Sequence, residues 1–299
     1  MPGWRIGAGG RRRIAFAALF IADIVLTAMF MLTYLQAVKL TTPVRDRQIG
    51  SPTDLAYRDV TLQTVDGLTL AGWYVPGTRA EAIVLVHGIH ANRAYLLPQA
   101  RILAAAGYGL LLIDLRGHGY SEGQMLTYGY DEALDVQAAV DYLSALPEVR
   151  RVGVIGHSLG GAAVVRAAAR DERIEALVVQ SSYSSLQRAI EDGFDNFAWL
   201  PRWPFAPLVV ALAQLRTGLR AREVDSAHDL ATMSPRPVLI IHGADDTLFP
   251  VQHAYRMYAA AQAPKTLWVV HGVLHVNPIA GHEDEYKEKI LAFFEDALK

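Results

Sequence analysis

Ser158 stands in the run Gly156-His157-Ser158-Leu159-Gly160, which fits the pattern G-x-S-x-G. Taken alone the match is weak, because 24 glycines supply chance matches readily. Its surroundings are more specific. Val152-Gly153-Val154-Ile155 has the composition of a buried strand, and Gly161-Ala162-Ala163-Val164-Val165 opens a helical stretch with small residues. A serine at so sharp a strand-to-helix turn has its Oγ projecting, and small neighbours are needed where the backbone crowds. The helix start also presents unpaired N–H groups and positive potential where an oxyanion would form. A serine hydroxyl is a poor nucleophile near neutral pH, so a base and an orienting acid must stand beside it.

Composition narrows the alternatives. The chain has no cysteine, which excludes a thiol nucleophile, disulfides and thiolate metal sites. Of its 299 residues 52% are hydrophobic and 19% charged, enough apolar material for one large α/β domain. Residues 1–40 carry Arg5, Arg11, Arg12, Arg13 and Lys39 against Asp23 alone, so the remainder is mildly acidic. With no long basic run there is no electrostatic footprint for nucleic acid. Neither a phosphate-cradling P-loop nor a dinucleotide fingerprint is present.

The elements that must hold Ser158 emerge from the apolar pattern. Residues 60–65 and 68–75 flank Asp66-Gly67, a hairpin signal. Short apolar runs at 82–86, 110–115, 152–155, 176–180, 238–241 and 267–270 alternate with helical stretches near 94–105, 131–146, 251–261 and 283–298. Short continuous apolar strands between helices predict a mainly parallel sheet covered on both faces. Between Leu186 and Pro235 no strand is evident, and Trp199, Pro201, Trp203, Pro204, Phe205 and Pro207 crowd together. A stretch that long reads as a small helical cap at about 186–235 rather than one structureless loop.

Ile14 to Val38 form an apolar run with a single charge, Asp23, directly after three arginines. The run exceeds the ~20 residues a helix needs to cross the hydrocarbon core and the ~7–15 of a signal-peptide core, and Leu35-Gln36-Ala37 is a poor cleavage site. The expectation is a membrane anchor over 1–40, a linker over 41–57 and a catalytic domain over 58–299. Four basic residues precede the span, and Lys39, Arg45 and Arg47 come after it. The charge bias therefore points weakly to a cytoplasmic N-terminus and an extracytoplasmic domain. Asp23, near mid-span, either pairs with another helix or is protonated or reaches toward water.

Over nearly all of residues 58–299 the sequence resembles the α/β-hydrolase superfamily. His87-Gly88-Ile89-His90 looks like its oxyanion loop, and Asp114-Leu115-Arg116-Gly117-His118-Gly119 with Ser121-Glu122-Gly123 is similar to a loop of many lipase- and esterase-like members. Membrane-anchored bacterial serine aminopeptidase-like and BEM46-like hydrolases are the most similar in appearance. The resemblance implies an α/β-hydrolase fold and the order serine, acid, histidine. In Ala244-Asp245-Asp246-Thr247-Leu248-Phe249-Pro250 the family spacing selects Asp246 over Asp245, which reads as a turn former. Of ten histidines, His271, His275 and His282 come after the last strand, and the family's Gly-x-x-His position selects His275. His157 is expected to pack beside the serine, and His87 and His118 to order their loops.

The resemblance then implies that His275, oriented by Asp246, deprotonates Ser158 as it attacks an acyl carbonyl. The N–H groups of Ile89 and Leu159 would form the oxyanion hole, with no metal or organic cofactor. The substrate expected is a small-molecule carboxylic ester, and the apolar cap together with the anchor suggests a lipid-derived acyl group. A peptidase or amidase would use the same triad. An inactive, membrane-tethered binding module is the remaining alternative.

Overall fold

The computed structural model describes residues 8–197, 200–233, 235–275 and 281–299. Among them, strands β1 (Arg58–Gln63), β2 (Thr69–Val75), β3 (Glu81–Val86), β4 (Gly109–Ile113), β5 (Arg151–His157), β6 (Ile174–Gln180), β7 (Val238–Gly243) and β8 (Lys265–Val270) form one sheet in the order β1-β2-β4-β3-β5-β6-β7-β8. β2 runs antiparallel to β1 and β4, and every other pairing is parallel. The helices are α1 (Ala8–Thr41), α2 (Leu97–Ala105), α3 (Glu132–Ser144), α4 (Leu159–Ala168), α5 (Leu186–Phe197), α6 (Arg202–Thr217), α7 (Ser226–Met233), α8 (Gln252–Ala260) and α9 (Glu283–Ala297).

Successive side chains of a strand point to opposite faces, so a strand apolar at every position must be covered on both. β4 is Gly-Leu-Leu-Leu-Ile and fully buried. Leu111 and Ile113 pack with Val84, Val86, Val154 and the inner sides of α3 and α4. Leu110 and Leu112 pack with Ile83, Leu85, Ile155 and residues of α2 and α9 on the other face. This is the mainly parallel sheet covered on both faces that the alternating pattern predicts, and the architecture that the α/β-hydrolase resemblance implies. The opening hairpin differs from its sequence reading. Its strands stop at Gln63 and restart at Thr69, because the Thr64 hydroxyl and carbonyl take the Leu68 and Gly67 N–H groups and widen the turn to five residues.

The parallel strands bring their carboxyl ends to one edge of the sheet, so the loops after β3, β5, β7 and β8 converge there. α5, α6 and α7 lie between β6 and β7 in the chain; α5 and α6 pack on each other as the cap, whereas α7 packs against α4 and α8, with Leu230 and Met233 in the core on that face of the sheet. α1 is 34 residues long, about 50 Å, and its stretch Arg11–Thr41 is long and apolar enough to cross a membrane. Only its last turns are covered. Thr33, Gln36, Ala37 and Thr41 are buried, and Ala37 packs against Ala206, Val209 and Ala213 of α6.

Candidate active site

Ser158 occupies the turn from β5 into α4 with φ +53° and ψ −115°. A non-glycine residue there costs on the order of 1–3 kcal/mol, so its surroundings must hold it. They do: its N–H donates to Gln180 O at 2.9 Å, and its carbonyl accepts from the Ser182 hydroxyl at 2.8 Å and Gly161 N–H at 3.0 Å. Gly160 is obligatory by close approach, since a Cβ there would lie 2.5 Å from the carbonyl oxygens of both Val86 and His87. The serine side chain makes no cap bond to its own helix. Its Oγ instead lies 3.0 Å from His275 Nε2.

His275 Nδ1 is 2.8 Å from Asp246 Oδ2. The Oδ1 of Asp246 accepts from the N–H groups of Leu248 and Phe249, both at 2.9 Å, so the β7 turn itself aims the carboxylate. Burial pushes this carboxyl up, but the hydrogen bond and charge of His275 and the Phe249 N–H outweigh it and hold it below the usual carboxylate range. His242 Nε2, 3.4 Å from Asp246 Oδ2, donates to Phe249 O at 2.7 Å and braces the same turn.

The three side chains singled out in the sequence therefore meet in one relay, and their rivals have other partners. Asp245 accepts from Gly272 N–H at 2.9 Å. His271 is exposed just beyond β8, and His282 sits at the N-cap of α9, 3.9 Å from Glu285. The Leu159 N–H begins α4 beside Ser158. Ile89 is next in the chain to Gly88, whose Cβ, were there one, would be 3.1 Å from Ser158 Cβ. Both amides thus border the serine.

Buried neutral histidines frame this wall. His87 Nε2 accepts from Leu115 N–H, so Nδ1 carries the proton and donates to Gly88 O. In the same way His118 accepts from His90 N–H and donates to Arg116 O. Burial pushes His87 down to about 4 and His118 to about 3. His157, its ring beside those of Tyr95 and His275, is pushed by burial and by His275 to about 3.

Two contributors carry no assignment from the sequence. Asp114 accepts from Arg93 N–H at 2.7 Å, Arg93 Nη1 at 2.6 Å and Tyr120 N–H at 2.9 Å, tying the loops after β3 and β4 together. The signal is present, since an aspartate ending a fully apolar strand must be paired. The loop passes it only through Gly119, where a Cβ would come within 2.0 Å of its Oδ2. The second is Phe249, whose ring centroid is 5.1 Å from that of His275 and 5.0 Å from that of Tyr183.

Phe249 also floors an apolar cavity of about 90 Å³, or about 710 Å³ with its open mouth included. Ile190, Phe194, Val209 and Ala213 of the cap line it together with Leu40 and Thr41 of α1. Tyr128 and Tyr183 turn their rings to it while their hydroxyls donate to Leu40 O and Tyr128 O, both at 2.7 Å. Among the described residues no group of His, Asp or Glu side chains has metal-ligand geometry.

The family model described as serine aminopeptidase, S33, matches residues 77–226. An uncharacterized protein of Mycobacterium tuberculosis is 34% identical over 228 residues, 75% of this chain and 74% of its own. An uncharacterized protein of Escherichia coli is 25% identical over 264 residues, covering 85% and 86%. Among solved structures, an esterase from Pyrococcus furiosus is similar with a TM-score of 0.74 and 28% identity, over 87% of this chain and 99% of that one.

Proposed function

The chain belongs to the serine aminopeptidase, S33, family of α/β-hydrolases, and on that premise we propose that it is a membrane-anchored serine hydrolase that cleaves carboxylic esters through an acyl-enzyme on Ser158. The observation that carries this reading is the relay Ser158 Oγ–His275–Asp246, at 3.0 and 2.8 Å, on a strained serine turn. His275 Nε2 takes the Ser158 proton as Oγ attacks the acyl carbonyl. Asp246 fixes the tautomer and stabilises the imidazolium that forms. The developing oxyanion accepts from Leu159 and Ile89 N–H, and one such donor is worth roughly 3–4 kcal/mol in the barrier. His275 then returns the proton to the leaving alkoxide. Water, deprotonated by the same base, releases the acid and restores Ser158.

Two observations favour an ester over an aminoacyl peptide. An aminopeptidase must hold a free ammonium group, whereas among the described residues those lining the cavity carry no acidic side chain. The structurally similar Pyrococcus protein is named an esterase. α1 supplies the anchor, with a cytoplasmic N-terminus and the catalytic domain on the other side favoured by the excess of arginines before the span.

The test is labelling of the full chain with a fluorophosphonate, alongside turnover of p-nitrophenyl acetate. Wild type labels and turns over, and Ser158→Ala does neither. A Ser158→Ala protein that still labels, or a wild type that never does, removes the assignment. Extraction of the chain by carbonate without detergent would remove the anchor.

A further inference from the structure

We propose that the outer side of α6 and the end of α1 lie together in the bilayer interface, and that the cavity between them takes the apolar chain of a membrane-resident ester directly from the lipid. The inference rests on the anchored-esterase reading and adds where its substrate resides and how it enters.

Between Trp203 and Ala213 α6 is apolar on all sides. Ala206, Val209 and Ala213 face inward and are buried. Its outer side carries Trp203, Leu208 and Leu215, exposed at 80%, 45% and 86%, with Ala211 exposed between them. A surface helix facing water carries polar residues there, as α9 does with Asp284, Glu285, Glu288 and Glu295. An all-round apolar helix with an exposed tryptophan at its start suits the boundary between acyl chains and headgroups.

Depth agrees with composition. Counted from Arg13, about 20 residues cross the ~30 Å hydrocarbon core and reach Thr33. The turns from Thr33 to Thr41 rise about 12 Å further, through the headgroup layer. It is this segment that α6 holds. Ala37 packs into α6, and Arg216 donates to the hydroxyls of Thr41 at 3.0 Å and Thr42 at 3.3 Å. The segment is also locked to the body, through Tyr128 O–H to Leu40 O and Leu126 N–H to Thr41 O. α6 is thereby fixed at headgroup depth. Lys39, Arg202 and Arg216, on the same two helices, are cations suited to lipid phosphates.

The cavity has the matching direction. Among its lining, Leu40 packs with Phe194, Val209 and Ala213, whereas Phe249 packs in a separate cluster with Tyr183 and Leu186 and its ring meets His275, so the cavity links the end of α1 to the relay. A chain entering beside the anchor points its ester group toward Ser158 without crossing water.

The chain has no cysteine, so single cysteines report cleanly. Leu215→Cys, and as a control Ala145→Cys at the opposite edge of the sheet, are each labelled with a nitrobenzoxadiazole fluorophore. Each full chain is then placed in phosphatidylcholine–phosphatidylglycerol vesicles. The expected result is a blue shift of 10 nm or more at position 215, with quenching by lipids carrying a shallow doxyl group, and neither effect at position 145. In parallel, the double variant Leu208→Glu/Leu215→Glu should lower the ratio of vesicle-embedded long-chain ester to p-nitrophenyl acetate turnover at least tenfold. Emission at 215 matching 145, a blue shift without lipid quenching (a second copy covering the face), or an unchanged ratio overturns the proposal. If p-nitrophenyl acetate is turned over but the embedded ester is not, this inference fails and the esterase reading stands. If Ser158 neither labels nor turns over any ester, the esterase reading fails, and the docking face still stands or falls on the fluorescence.

Discussion

The loops leaving β3, β4 and β5 surround Ser158, the helices of the cap line the apolar cavity that Phe249 joins to His275, and the two regions are held by different forces. On the loop side Asp114, Arg93, His87, His118 and Ser158 are joined by hydrogen bonds of 2.6 to 3.1 Å, and glycines at 119 and 160 let backbone approach within the radius of a methyl group. On the cap side α5, α6 and the end of α1 meet mainly through Phe194, Ala206, Val209, Ala213 and Ala37, contacts without direction, and the hydrogen bonds there are confined to the end of α1, at Leu40, Thr41 and Thr42. Directional bonds fix a serine to within fractions of an ångström, which chemistry demands. Dispersion and apolar burial tolerate a few ångströms of sliding, which suits a wall that must admit chains of different length.

Acid should break the first wall before the second, and this is the largest effect expected. In the unfolded chain a histidine titrates near 6.5, whereas His87, His118 and His157 are held at about 4, 3 and 3 in the fold. Between those values the unfolded state binds protons that the native state refuses, so stability falls as pH falls from 6.5 toward 4. Each histidine accounts for roughly 3 kcal/mol of that loss, a sizeable share of a domain's stability. Asp246, held below its ordinary value, withdraws its own contribution only as pH falls below about 4, so the two causes separate on the pH axis. Urea midpoints measured from pH 7 to 4.5 test this. A flat profile above pH 5 would mean the histidines are not held neutral by burial.

Within the wall, His275→Ala should lower kcat on p-nitrophenyl acetate at least about a thousandfold, about 4 kcal/mol of barrier, with KM changed only a few-fold. A residual activity near wild type would point back to His271 or His282. Gly160→Ala tests the wall's packing rather than its chemistry. A methyl 2.5 Å from two carbonyl oxygens forces β3 and α4 apart, an overpacking cost of about 3 kcal/mol or more, read as a lowered thermal midpoint and lost fluorophosphonate labelling together.

The two regions also differ in how far they can be read from sequence. The serine turn is legible because its constraints are local: a strand, five residues and a helix with small side chains at its start. Asp246 and His275 are legible through the family resemblance, whose order and spacing select them, and each comes a few residues after its strand. The Asp66-Gly67 pair places the hairpin turn but understates its width, because Thr64, two residues earlier, takes the Gly67 and Leu68 N–H groups. The cap is visible only as an absence of strands between Leu186 and Pro235. That Ala37 of α1 seats on Ala206 and Ala213, some 170 residues away, leaves no periodic trace, because small apolar residues are common in any helix.

The cap side can be tested where it differs most from the loop side, in its tolerance. Ala213 lines the cavity and packs near Ala37, with no hydrogen-bonded side chain to disturb. Ala213→Phe should fill much of the 90 Å³ space without touching the relay. The ratio of octanoate to acetate p-nitrophenyl ester turnover is then expected to fall about tenfold, some 1.4 kcal/mol. The same substitution in the loop wall would abolish both reactions, because nothing there can yield. Should octanoate and acetate fall together, the cap is as rigidly coupled to Ser158 as the loops are, and the division between a fixed wall and an adaptable one disappears. Should neither fall, the acyl chain lies elsewhere and the cavity is packing space beneath the cap.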